Sequence, residues 1–131
     1  GRWGIDEDLG VITGRRLFLV NDAGKIVVSL GSNDGGNGVL STQSSTGKQL
    51  IFAGSDVDGE GLLTVNSKAG KQRVHLGSSK SVDGFYIEGY NKTGEMVVRL
   101  KADDYGNGVV SAYNRKGYGR TLEFVQIIRI E

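Results

Sequence analysis

The sequence predicts an all-β fold of tandem antiparallel β-hairpins, laid out as a meander or solenoid-like sheet. Three observations carry this reading. Glycines recur at 24, 47, 70, 94 and 117, and a second series at 38, 61, 84 and 108 keeps the same phase; repeats of 20–50 residues mark solenoids and arrays. Val and Ile together number 22 against 16 for Leu and Ala, which tilts the backbone toward strand. No stretch of useful length shows a helical period.

The elements follow in order. Residues 1–14 lie outside the repeat and read as an end cap or assembly arm carrying Trp3 and Ile5. Residues 15–124 hold five hairpins. Their first strands read as 17–20, 39–42, 62–65, 85–88 and 109–112, and their second strands as 26–30, 50–53, 73–76, 96–100 and 121–124. Each hairpin turn opens on Asn or Ser (Asn21, Ser44, Ser67, Asn91, Asn114) and closes on a glycine of the first series. Asn or Ser can bond the backbone two residues on, and Gly tolerates the positive φ of a turn followed by a bulge. Polar, Gly-rich loops over 31–38, 54–61, 77–84 and 101–108 join the hairpins. Residues 125–131 read as a terminal strand, with Ile127, Ile128 and Ile130 as assembly candidates. One domain accounts for all 131 residues.

Aligned units show which positions stay apolar. The set Leu17, Leu40, Leu63, Tyr86, Val110 is one such column, and Val28, Ile51, Val74, Val98 is another. Leu30, Ala53, Leu76, Leu100 form a third. Leu122 and Phe124 join the last two if one residue is inserted near Gly119. Ser29, Phe52, His75 and Arg99 form a more polar column between them, so one buried and one wet face are expected. Three or four core side chains per unit is a thin supply. No Pro guards an edge. The expectation is therefore a homo-oligomer or filament, in which copies of the chain cover one another. A β-trefoil or a closed barrel is the alternative architecture.

Composition excludes several kinds of chemistry. Without Cys there is no disulfide framework, cysteine zinc site or thiol enzyme. No apolar run is long enough to span a membrane. A net charge of +1 gives no reason to expect nucleic acid as a partner. A chain opening Gly1, Arg2, Trp3 without Met reads as a processed product, and no signal peptide is visible to fix its compartment. His75 is the sole imidazole and sits in a strand column, so a triad has no base to use. Ser45 and Lys48 match an S-x-x-K pattern but occupy a hairpin turn, where that motif has no helix to start. Asp6, Glu7 and Asp8 lack a partner across a cleft for glycoside hydrolysis. The chain reads as a non-enzyme.

Two weaker sets of candidates remain. Asp56, Asp58 and Glu60 alternate along one loop, as oxygen ligands do in a calcium loop, although Asp and Gly are also what tight turns select. Calcium is therefore the one cofactor that the residues offer, and no other is expected. Tyr90 and Tyr113 end first strands beside turns, where their rings could meet a glycan.

The motif Asn-x-x-Gly-Lys/Glu, then Val-Val-x-Leu, then a Gly-rich acidic loop ending Gly-x-Gly, resembles hairpin-repeat segments of bacterial surface and secreted proteins. It is also similar in style to the shafts of trimeric phage fibres. The likeness covers residues 15–124 and is one of repeat grammar. It implies a structural or adhesive role outside the cell, at a cell surface or on a virion, and carries over no functional residue. The expected function is a self-assembling structural protein, with a glycan- or receptor-binding module as the alternative.

Overall fold

The computed structural model describes residues 10–81 and 84–123. They form one sheet of ten antiparallel strands in strict chain order, β1 to β10, with no helix among the described residues. The strands are β1 (Leu17–Val20), β2 (Ile26–Ser32), β3 (Gly38–Gln43), β4 (Gln49–Ser55) and β5 (Gly61–Asn66). They continue as β6 (Gln72–Ser79), β7 (Gly84–Tyr90), β8 (Met96–Ala102), β9 (Gly108–Tyr113) and β10 (Gly119–Glu123). Each strand pairs with its sequence neighbours alone, so the sheet stays open and is neither a barrel nor a trefoil. The positions of Trp3, Ile5, Ile127, Ile128 and Ile130, and the expected terminal strand, lie outside the described residues.

The turns explain why the chain keeps reversing. In the first, the Asn21 N–H donates to the Lys25 carbonyl at 2.9 Å and the Gly24 N–H donates to the Asn21 carbonyl at 2.8 Å. The same pair of bonds recurs in turns opening at Asn33, Ser44, Asp56, Ser67, Asn91, Asp103 and Asn114. The first residue's side-chain oxygen also takes two backbone N–H groups, two and four residues on; for Asp103 these bonds are 2.9 and 2.8 Å. This is the Asx-type device that makes Asn and Asp good turn starters.

The joining loops are thus shorter than the sequence suggests. Strands run through Gly31, Gly54 and Gly77, and only five residues turn the chain at 33–37, 56–60 and 103–107. The residues with positive φ there are Gly36, Gly59 and Gly106, whereas Gly38, Gly61 and Gly108 begin strands. The 23-residue period therefore divides into two strand–turn modules of 11 or 12 residues built on the same turn.

Ser44 and Ser67 fill the first turn position where six other turns have Asn or Asp. The Ser67 hydroxyl accepts both backbone bonds at 3.3 Å, longer than the 2.9 and 3.0 Å made by Asp56. Ser67→Asn is expected to raise stability by about 0.5 kcal/mol, read as a higher urea midpoint at unchanged slope.

Register sorts the side chains onto two faces. One face carries a ladder crossing the whole sheet: Leu17, Leu30, Leu40, Ala53, Leu63, Leu76, Ile87, Leu100, Val110, Leu122. Beside it runs a second: Leu19, Val28, Thr42, Ile51, Val65, Val74, Gly89, Val98, Ala112, Arg120. The expected Tyr86 column is thus corrected. The step from Leu76 to Ile87 is one residue longer than its counterparts, such as Leu30 to Leu40 and Leu100 to Val110, which brings Ile87 into the ladder and turns Tyr86 to the other face. The fifth hairpin is corrected too. Four hairpins skip one residue of the second strand, such as Val27 between Ile26 and Val28, but the fifth pairs without that bulge. Leu122 accordingly stands opposite Val110, one column further than an insertion would place it. Gly119 permits the tighter pairing, because a Cβ there would run into the Ala112 carbonyl.

Among the described residues, no second layer covers the apolar face. None of its ladder residues is fully buried: the central ones are partly covered by their neighbours, while Leu30 and Val98 are each 40% exposed and Leu122 56%. A single chain therefore leaves uncovered, among the described residues, the face that the sequence marks for burial. Among the described residues only Ser41, Val109 and Ser111 are buried, and all three belong to the opposite, polar face. There, long side chains lie over their neighbours: Gln43 and Gln49 both donate to the Ser41 hydroxyl, at 2.9 and 3.2 Å. Amphipathic side chains can cover strand surface in this way while keeping a polar end wet.

Candidate functional site

The polar face is where titratable side chains meet. Its central ladder reads Phe18, Ser29, Ser41, Phe52, Thr64, His75, Glu88, Arg99, Ser111, Thr121. Polarity is concentrated in β6 to β10. His75 hydrogen-bonds through both ring nitrogens, Nδ1 with the Gln72 amide at 3.3 Å and Nε2 with the Tyr86 hydroxyl at 3.0 Å. The two rings meet edge to face with centroids 5.3 Å apart. His75 is thereby a half-buried strand residue locked between two neighbours, as its column predicts.

Next to it, the Tyr90 hydroxyl donates to Glu88 Oε2 at 2.8 Å, and Arg99 Nη2 lies 3.6 Å from Glu88 Oε1. Burial pushes both Tyr86 and Tyr90 up; nearby carboxylates add to this, and Tyr90's bond to Glu88 stabilises its neutral form. Tyr113 goes the other way, held down by hydrogen bonds from Ser111 and Thr121. Arg99 and Lys101 line two shallow, open grooves: one runs between Tyr86 and Glu88, the other beside Tyr113 and Asp103. Both tyrosines singled out from sequence, Tyr90 and Tyr113, thus lie on one face, on either side of β8. The cluster of Glu88, Arg99 and Lys101 around them is not apparent from sequence. Its signal was the polar column through His75 and Arg99, extended across strands of unequal spacing.

Asp103 and Glu123 share a hydrogen bond between their carboxyls. That bond, with backbone N–H groups of Asn107 and Tyr105, pulls Asp103 down to about 2, while the same bond raises Glu123. The depressed Asp103 contributes stability present above its unfolded value of 3.8 and lost as pH falls toward about 2. The raised Glu123 contributes stability present below 4.5 and lost as pH rises through its folded value. Both operate together between 3.8 and 4.5. Carboxyl-detected NMR titration is expected to find Asp103 near 2 and Glu123 above the usual glutamate range. In Glu123→Ala, Asp103 is expected to return toward 3.8.

The acidic loop spends its three carboxylates separately. Asp56 Oδ1 accepts the N–H groups of Asp58 and Glu60 at 2.9 and 3.0 Å. Glu60 accepts the Ser78 hydroxyl, and Asp58 lies 3.7 Å from the Lys80 ammonium, both largely exposed. Among the described residues, no three His, Asp or Glu side chains converge to hold a metal ion. No described helix is long and apolar enough to cross a membrane. No protein-family model matches the chain, and no curated protein matches it either.

Proposed function

We propose that this chain is a non-catalytic, self-assembling structural repeat protein of an extracellular fibre, appendage or surface layer. One observation carries the reading: a ladder of ten apolar side chains crosses an open sheet without a break and, among the described residues, without a cover. Contiguous exposed apolar surface of this extent marks an interaction site. An open sheet of regular modules also suits a part whose task is to span distance, since each module contacts only its neighbours.

Sedimentation velocity and electron microscopy of the purified chain test the reading. Discrete oligomers or filaments are expected. A monomer that persists across the accessible concentration range would sink it. A second reading, binding of a glycan or surface receptor, draws on the grooves around Arg99 and Lys101 beside Tyr113. It requires glycan-array binding that is weakened by Tyr113→Ala and Arg99→Ala.

A further inference from the structure

Resting on the self-assembly reading, we infer that the occupant of the apolar face is a second copy of this chain, packed sheet against sheet rather than joined edge to edge.

Three features of the face argue for it. The first is extent. Ten strands at about 4.8 Å spacing make each ladder about 43 Å long, and the two ladders together are about 14 Å wide. That is about 600 Å² per copy, or about 1,200 Å² for a pair, which reaches the size of a stable interface. The second is charge. Neither ladder carries an ionisable side chain from β1 to β9, and Arg120 enters only at the outer strand β10. Burying the face therefore strands no charge except at its rim. The polar face, with Glu88, Arg99, Lys101 and Asp103, has to stay wet. The third is shape. The apolar side chains stand in rows that continue through every strand pair, the four bulged hairpins included, so a twofold-related copy presents the same rows and interdigitates as inner faces of β-sandwiches do.

Sedimentation equilibrium of the full chain and three variants tests the inference. Leu63→Lys and Leu40→Lys put a charge into the long ladder, whereas Thr64→Lys changes the neighbouring residue on the opposite face. An isologous interface meets each substitution twice. The first two variants are expected to raise the dissociation constant by about 100-fold or more while keeping β-type circular dichroism, and Thr64→Lys to change it by less than about threefold. Where a lysine variant loses its β signal, Leu63→Gln and Leu40→Gln are read in the same way. Unchanged association in folded ladder variants overturns face-to-face packing and leaves edge-joined self-assembly standing. A wild-type chain that stays monomeric at about 100 μM overturns the packing together with the reading beneath it.

Discussion

Gly77→Val is expected to be among the most damaging single substitutions in the sheet, lowering stability by about 3 kcal/mol. A Cβ at position 77 would stand 2.5 Å from the Gly61 carbonyl oxygen and 3.2 Å from Leu62 Cα. These are backbone atoms of the paired strand, so no rotamer change relieves the contact. The β5–β6 pairing at the centre of the sheet has to open or slip. Gly89→Ala is expected to do the reverse. Its Cβ would meet Val98 Cβ at 3.8 Å, an ordinary contact, and its φ is not in the left-handed region. It would fill the one gap between Val74 and Val98 in the second apolar ladder and restrict the unfolded chain. A gain of about 0.4–1 kcal/mol follows. Opposite signs at two strand glycines, read in paired urea melts, are the check; a loss at both would mean that the strand backbone is placed differently.

The second large effect is expected from Gly70→Val, at about 1–3 kcal/mol. Gly70 has φ +80°, where a β-branched residue is strained, and its N–H closes the turn onto the Ser67 carbonyl at 2.8 Å. Since strands contact only their sequence neighbours, the damage is expected to stay local. Hydrogen exchange should show β5 and β6 opening early while β1–β3 and β8–β10 keep their protection. A uniform loss of protection would instead mark the sheet as a single all-or-none unit.

Much of this architecture was legible because glycine is hard to replace where φ is positive. The series 24, 47, 70, 94, 117 located five turns, and all five glycines have φ between 75° and 95°. The second series misled, since Gly38, Gly61 and Gly108 are periodic without being turn residues. The working glycines, Gly36, Gly59 and Gly106, stand two places earlier. Tyr86 was assigned to the apolar column because a fixed offset hides a connection one residue longer, and a one-residue shift exchanges the faces of a strand. Alternation told that the faces differ but not whether either is covered, which depends on layers that periodicity does not encode. The groupings on the polar face, such as His75 with Tyr86 or Asp103 with Glu123, join residues 11 to 20 positions apart. They emerge only once the register is known.

The continuous rows and the shared turn have a consequence for how such a chain changes length. Every strand pairs with the last along continuous ladders, so duplicating one pair of modules adds two strands, about 9.6 Å, and leaves both surfaces in phase. An odd module would send the chain out at the opposite end of the strands. Reach can therefore be set in even increments by gene duplication or loss, as graduations set a ruler, without redesigning any residue.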